Sequence, residues 1–203
     1  MKIDKMVSII VTCAKQYQRN LANRNLLFVF GNPKSVETLE IVCLPENFMH
    51  LTGVLPANKS LSSVNFYNMC LDSRLTPNAI KISHGGTTTM KLRVLAQTMS
   101  IHETARMIGS YSGNKIKLNT EKIAGNTRAC VGFVEAKEYP GFYVPNTVLY
   151  EDTRKVIDKP AKKIMAIFTK QKNAPTYTEC TYLAKEASPE LFLSGTLKSK
   201  ITI

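Results

Sequence analysis

The stretch from Glu46 to Val54 reads ENFMHLTGV and joins a predicted strand to a predicted helix. It places His50, one of three histidines in the chain, close to a hydroxyl side chain, Thr52, and a flexible glycine, Gly53. In a protein of formal net charge +12, a histidine beside a hydroxyl suggests chemistry on a phosphate group. The same residues also suit an ordinary turn, so the surrounding sequence has to decide between the two interpretations.

The segments on both sides of this stretch have clear patterns. Apolar residues at helical spacing predict an amphipathic helix at about 3–22. The apolar run 26–30 predicts a short buried strand. Alternation within 36–44 predicts a second strand that forms a hairpin with the first. A helix at about 60–73 is expected to follow.

The second half of the chain, from about residue 104, is β-rich and is punctuated by turn residues. Strands are expected at 115–118, 128–134, 142–144, 164–169 and 178–184, with a short helix at 147–157. These elements predict an α+β fold in which N-terminal helices pack on a small antiparallel β-sheet. We expect one domain over residues 1–203, with a loose tail from about Ser194.

The charge of the chain indicates the kind of partner. Lysine and arginine total 27 against 15 aspartate and glutamate residues, and the excess is spread over both halves of the chain. A basic folded body attracts polyanions, of which RNA and DNA come first. RNA or DNA is therefore the expected partner. The alternative is that the surplus lysine only keeps the protein soluble.

The cysteines and the absence of several known motifs limit the kinds of chemistry that the sequence suggests. Five widely spaced cysteines favour neither a disulfide framework nor a structural zinc site, and they suit a reducing cytoplasm. No metal motif, phosphate loop or dinucleotide fingerprint is present, so neither a metal nor a cofactor is expected. The N-terminus does not resemble a signal peptide, and no apolar run approaches the roughly 20 residues of a membrane span.

Metal-independent cleavage of RNA is the chemistry that remains. Attack of the 2′-hydroxyl on its phosphate needs a base, an acid and cations that stabilise the phosphorane. His50 suits the base or acid, Thr52 can position the phosphate, and Lys91, on a helix predicted after Gly86, can stabilise the transition state. The alternatives are structural: His50 can bridge a turn, Thr52 can cap a helix, and Lys91 can lie on a solvated basic face.

Other basic residues are candidates for contact with a nucleic-acid backbone. Arg93 lies on the same predicted helix as Lys91, and Lys163 and Lys170 lie in a lysine-rich run with no acid after Asp158. A solvated strand edge is an equal alternative for these lysines. Of the other histidines, His84 precedes a glycine turn and His102 lies at a predicted helix start, and surface or structural roles are favoured for both.

The order of several segments resembles a branch of the phage-associated barnase/EndoU/colicin/RelE-like nuclease families. The matching segments are 26–30, 48–53 with the pattern Phe-x-His-Leu-Thr-Gly, 66–71, 90–95, 115–118 and 143–147. The resemblance covers about residues 24–172. The Phe-x-His-Leu-Thr-Gly element is its most specific part.

This resemblance implies a metal-independent ribonuclease of phage, mobile-element or toxin context. It also implies N-terminal helices on a small antiparallel sheet, which agrees with the pattern of the residues. His50 and Thr52 carry over onto its motif, whereas Lys91, Asn146 and Thr147 carry over as matching positions without an assigned role. The motif supplies no second catalytic histidine.

Three hypotheses account for these features. The first is an endoribonuclease that acts without a metal ion. The second is a non-catalytic nucleic-acid-binding protein on the same scaffold. The third is an accessory protein of a mobile element, whose basic surface meets an acidic protein partner.

Overall fold

The computed structural model describes residues 1–32, 34–83, 86–113, 118–187 and 197–202. Within these ranges the helices are α1 (Ile3–Asn20), α2 (Asn47–Thr52), α3 (Ser63–Leu71), α4 (Thr87–Thr98) and α5 (Ile101–Thr104). The helix expected at about 3–22 is present as α1, and its buried side chains are the apolar ones at helical spacing. Ser62 caps α3, because its hydroxyl accepts a hydrogen bond from the Asn65 N–H at 3.2 Å.

The described ranges also contain ten strands. They are β1 (Arg24–Asn32), β2 (Ser35–Cys43), β3 (Val54–Pro56), β4 (Ile80–Ile82), β5 (Met107–Ser110), β6 (Lys122–Gly125), β7 (Cys130–Glu135), β8 (Phe142–Leu149), β9 (Lys162–Gln171) and β10 (Glu179–Leu183). Eight strands form one sheet in the order β1-β2-β8-β7-β6-β5-β9-β10, and β3 pairs with β4 separately. Because β1 also pairs with β9, seven strands close into a barrel and β10 is an extra strand on β9.

The barrel closes through the antiparallel pairing of β1 and β9. The register runs from Arg24 opposite Gln171 to Phe30 opposite Ile164, with one irregularity after Val29. The other edge of β9 pairs with β5 at Lys162 and Lys163, and then with β10. Neighbouring barrel strands are antiparallel except β2 and β8, which run parallel. Around the barrel, β9 is therefore followed by β1, β2 and then β8.

The predicted fold class is wrong. The structure is a closed seven-stranded barrel with an extra strand and a few helices, rather than N-terminal helices packed on a small antiparallel sheet. The predicted hairpin of the first two strands is confirmed. Local periodicity indicates where strands lie but not which distant strand each one pairs with, and the closing pair joins Leu26 to Thr169.

Strand β1 is buried on both faces, which explains its uninterrupted apolar run. Leu26 and Phe28 belong to the main core, which includes buried side chains of α1 to α4. Leu27 and Val29 point the other way, because side chains alternate along a strand, and join a second cluster. A strand with two buried faces and two paired edges is typical of a barrel wall rather than of one layer under helices.

Residues 197–202 cover the second cluster. Leu197 and Ile201 are buried in it, and Ile201 forms a β-bridge with Tyr177. Lys200 also forms an ion pair with Glu40 of β2. This segment therefore differs from the loose tail expected from about Ser194, and residues 194–196 of that tail lie outside the described ranges.

Three other elements differ from the sequence-based predictions. The helix expected at 147–157 is wrong, because β8 continues to Leu149 and only a 3-10 turn at Thr153–Lys155 follows. The strands β5 and β6 were not predicted. Most of the strand expected at 115–118 lies outside the described residues. No helix in the described part of the chain combines the length and hydropathy that crossing a membrane requires.

Candidate functional site

The short helix α2 is anchored by its apolar side chains. Phe48 is fully buried, with its ring centroid 5.4 Å from that of Tyr17 and 5.5 Å from that of Tyr67. Leu51, three residues after Phe48, is buried on the same helix face. His50 lies on the opposite side and is exposed. The spacing of Phe48 and Leu51 therefore presents His50 at the surface.

Gly53 ends α2 in the left-handed conformation, with φ of 71°. Only glycine adopts this conformation without a steric penalty. A Cβ atom at this position would also lie 2.7 Å from Cδ of Lys91. Gly53 thus serves two purposes, since it ends the helix and admits the aliphatic part of the Lys91 side chain.

The ammonium group of Lys91 reaches the same helix. Lys91 Nζ donates a hydrogen bond to the backbone carbonyl oxygen of His50 at 3.0 Å. Burial lowers the pKa of Lys91 to about 8. Desolvation, and then the charge of Lys91, lowers the pKa of His50 below its usual value near 6.5. At neutral pH the imidazole is therefore neutral and the neighbouring ammonium group is still mostly charged.

Thr88 holds the two helices together, and the sequence did not identify it. Its hydroxyl donates to the carbonyl oxygen of Gly53 at 2.6 Å and accepts from the Ser83 N–H at 3.1 Å. The side chain is fully buried. A run of three threonines before Met90 gave no signal that the middle hydroxyl would bond to a distant backbone carbonyl.

The Thr52 side chain forms hydrogen bonds with backbone groups at the end of α2. Its side chain is fully buried, and Oγ1 donates to the Met49 carbonyl at 2.7 Å and accepts from the Val54 N–H at 3.3 Å. The hydroxyl therefore closes the end of α2 and is not directed at an open cleft. It does not cap the following helix α3, where Ser62 has that role.

A pocket of about 250 Å³ lies between α4 and the end of β8, and Lys91 lines it. Most of its wall is apolar: Met90, Leu118, Val148, Leu149, Tyr150 and Val156. Its polar lining comes from Thr87, Lys91, Thr147 and Glu151. Lys91 therefore contacts the His50 segment on one side and this pocket on the other.

The Asn146-Thr147 pair divides between two environments. Thr147 is buried on β8 opposite Gly132 and lies in the pocket wall with Lys91. Asn146 Nδ2 donates to the Asn119 carbonyl oxygen at 2.6 Å, so its amide holds the chain before β6. Thr147, but not the Asn146 amide, is thus part of the candidate site.

The remaining basic candidates lie elsewhere. Arg93 is exposed, and two residues along a helix separate its direction from that of Lys91 by more than a right angle. Lys163 forms an ion pair with Glu186 at 2.6 Å. Lys170 Nζ donates to the Pro175 carbonyl at 3.3 Å and lies 4.8 Å from the Tyr177 ring centroid. Both lysines are on β9, so the structure does not bring them to the β8 pocket.

The other two histidines do not join His50. His84 lies outside the described residues. His102 is buried on α5, a helix that contacts β9 and β10, and Thr181 donates to its carbonyl oxygen at 2.6 Å. Desolvation is the main cause that lowers the pKa of His102. Within the described ranges, no group of three or more His, Cys, Asp or Glu side chains is placed to hold a metal ion.

Comparison with protein families identifies the class as a nuclease. The family described as phage-Barnase-EndoU-ColicinE5/D-RelE like nuclease4 matches residues 9–186, and the chain belongs to this family. The match confirms the resemblance drawn from the order of the sequence segments, and a nuclease family implies a nucleic-acid substrate. No significant match to a curated protein or to a solved structure was found.

Proposed function

We propose that the protein is an endoribonuclease of phage or mobile-element origin that cleaves RNA without a metal ion, by attack of the 2′-hydroxyl on the adjacent phosphate. The observation that carries this proposal is the contact of Lys91 Nζ with the His50 carbonyl at 3.0 Å beside the β8 pocket. It holds a cation of lowered pKa at the backbone of the residue that carries a neutral imidazole, and an ammonium group and an imidazole in these states are complementary acid–base groups.

The proton transfers can be assigned to these two residues. The neutral His50 imidazole removes the 2′ proton as the 2′ oxygen forms its bond to phosphorus. Lys91 stabilises the charge on the phosphorane and donates its proton to the 5′ oxygen as the P–O5′ bond breaks. The products are a 2′,3′-cyclic phosphate and a 5′-hydroxyl, and solvent restores the proton on Lys91 and removes the one on His50.

Other residues support this arrangement without reacting. Thr52 and Gly53 are positioning residues, because they shape the end of α2 on which His50 is carried. Thr147 borders the site from β8, and Asn146 fixes the neighbouring loop. Arg93, Lys163 and Lys170 contribute to the positive field that attracts RNA, rather than to contact with the reacting phosphate.

A reducing compartment suits the cysteines. All five are free and four are buried. Burial raises the pKa of Cys13 to about 11 and that of Cys43 to about 12, which keeps these thiols protonated. We therefore place the activity in the cytoplasm.

Incubation of the purified protein with end-labelled single-stranded RNA in excess EDTA tests the proposal. We expect cleavage that leaves a cyclic phosphate, and no cleavage of an RNA carrying a 2′-deoxy substitution at the scissile nucleotide. His50→Ala should lower the rate about 10²–10⁴-fold, the usual contribution of an acid–base group. Asn68→Ala, which changes an exposed uncharged side chain on α3, is the control.

The outcomes separate the competing hypotheses. Equal cleavage by wild type and His50→Ala would refute the assigned mechanism. Salt-sensitive RNA binding by a folded wild-type protein that cleaves nothing would support a non-catalytic binding protein instead. Absence of RNA binding at low salt would favour the accessory role with an acidic protein partner.

A further inference from the structure

The pocket between α4 and the end of β8 has the composition of a small-molecule site. Its volume of about 250 Å³ falls just below the roughly 300–1,000 Å³ typical of pockets for drug-sized ligands. A predominantly apolar wall with a few polar groups is also the usual pattern of such sites. The size and lining therefore suit one flat ring system with polar edges.

Two side chains at this pocket are unusually exposed for their type. Met90 is 52% exposed and Tyr150 is 51% exposed, and they come from opposite walls, on α4 and after β8. Exposed large apolar side chains that converge on one pocket indicate a binding site more strongly than scattered ones do. A phenol ring stacks on the face of an aromatic ring, and a thioether also makes favourable contacts with an aromatic ring.

The charge beside the pocket indicates which kind of chemical group the ring of the ligand carries. Lys91 lines the pocket, and its ammonium group lies at the carbonyl of His50. A ligand with an aromatic ring in the pocket would thus place an attached anionic group near a cation. Hydroxyl and carboxylate side chains, Thr147 and Glu151, line the same pocket for the polar edge of the ring. An unpaired nucleotide combines these features.

We infer that this pocket is a nucleobase subsite, in which one unstacked base of a single-stranded RNA lies against Tyr150 and Met90 while its phosphate faces Lys91. The inference rests on the proposed function for its substrate, but base binding itself requires no cleavage. Loss of one stacking contact on an aromatic side chain weakens binding about 5–150-fold. A duplex keeps its bases stacked on each other, so it cannot fill the pocket.

Binding of nucleoside monophosphates and of a short oligonucleotide, followed by NMR titration, tests this subsite. We expect Tyr150→Ala to weaken the binding of both at least fivefold, and Tyr150→Phe, which keeps the ring, to restore it. Ribose 5-phosphate, which lacks a base, should bind more weakly than the nucleotides and should not respond to Tyr150→Ala. Leu183→Ala is the matched control, since Leu183 is 44% exposed on β10, outside this pocket.

Cleavage kinetics distinguish failure of this inference from failure of the proposed function. If RNA is cleaved but Tyr150→Ala and Met90→Ala leave KM and nucleotide binding unchanged, the subsite is refuted and the nuclease stands. If nucleotides bind with the expected dependence on Tyr150 and no RNA is cleaved, the subsite stands and the catalytic proposal fails. Equal binding of ribose 5-phosphate and of the nucleotides would also overturn the subsite.

Discussion

Lys91 and His50 are joined through the backbone: the ammonium group of Lys91 donates to the carbonyl oxygen of His50 at 3.0 Å. The contact holds α2 against α4 and keeps a partly buried cation next to an imidazole. A charge that is partly removed from water costs stability, yet it is more effective towards a phosphate than a fully hydrated one. In the proposed mechanism this pair therefore links the rate of cleavage to the stability of the protein.

The rate of RNA cleavage should follow a bell-shaped pH profile. His50 must be neutral, and its lowered pKa places the acidic limb below pH 6.5. Lys91 must be protonated, and its pKa of about 8 places the alkaline limb near pH 8. Lys91→Arg keeps the positive charge but is too weak an acid to donate the proton, so it should lower the cleavage rate, and the remaining rate should lack the alkaline limb near pH 8. An unchanged alkaline limb in this variant would show that another group controls it.

Lys91→Met should abolish cleavage and make the protein more stable at neutral pH. Methionine keeps an unbranched apolar chain near Gly53 and removes the cost of burying the charge. We expect the free energy of unfolding at pH 7 to rise by about 1–2 kcal/mol, because loss of the bond to His50 offsets part of the gain. Urea unfolding measures the change, and a loss of stability at pH 7 would contradict it.

The pH dependence of stability provides a second measure of the Lys91 charge. The pKa of Lys91 is about 8 in the folded protein, whereas an unfolded lysine titrates near 10.4. Between these values the unfolded chain binds more protons, so the contribution of Lys91 to stability increases as the pH rises from about 8 to 10.4. The difference in the free energy of unfolding between wild type and Lys91→Met should therefore become smaller as the pH rises from about 8 to 10.4. Urea titrations at several pH values check this expectation.

Gly53→Ala should lower cleavage more than its effect on stability explains. The left-handed φ of 71° costs an alanine about 1–2 kcal/mol, and the new Cβ would displace Lys91 from a distance of 2.7 Å. Gly141→Ala is the matched control, because φ there is 81° and a methyl group would meet no atom within 4 Å. Both variants should unfold at similar urea concentrations, and only Gly53→Ala should show a reduced kcat. Equal kcat values would exclude a positioning role for Gly53.

Ile201→Ala should destabilise the barrel by about 2–4 kcal/mol, since a buried side chain is replaced by a cavity. Ile201 is 3% exposed and packs in the cluster that covers the outer face of β1. Lys198→Ala, in the same segment at an exposed position, should have little effect. A loose tail would make both substitutions neutral, and thermal or urea unfolding distinguishes the two cases.

Local sequence selected His50 as a site residue but did not predict the helix that carries it. Phe48 and Leu51 have the spacing of one buried helix face, which explains why His50 points outward now that residues 47–52 are known to form α2. Gly53 has the residue type that ends a helix. Thr52 was ambiguous between phosphate contact and a structural hydrogen bond, and its burial places it in the second group. Neither Thr88 nor Tyr150 could be selected, because their roles depend on contacts between segments that are distant in sequence.

The sequence by itself determined the positions of α1 and of the β1–β2 hairpin, because these depend on periodicity and turn residues over short distances, but it did not predict the helix α2 that carries His50. Its pattern of segments also determined the nuclease family. Only the tertiary structure decided that β1 pairs with β9 to close a barrel, and that Lys91 reaches His50 while Lys163 and Lys170 do not. Pairing and packing between distant segments depend on burial of both faces of a strand and on steric fit, and neither is encoded in any one stretch of residues.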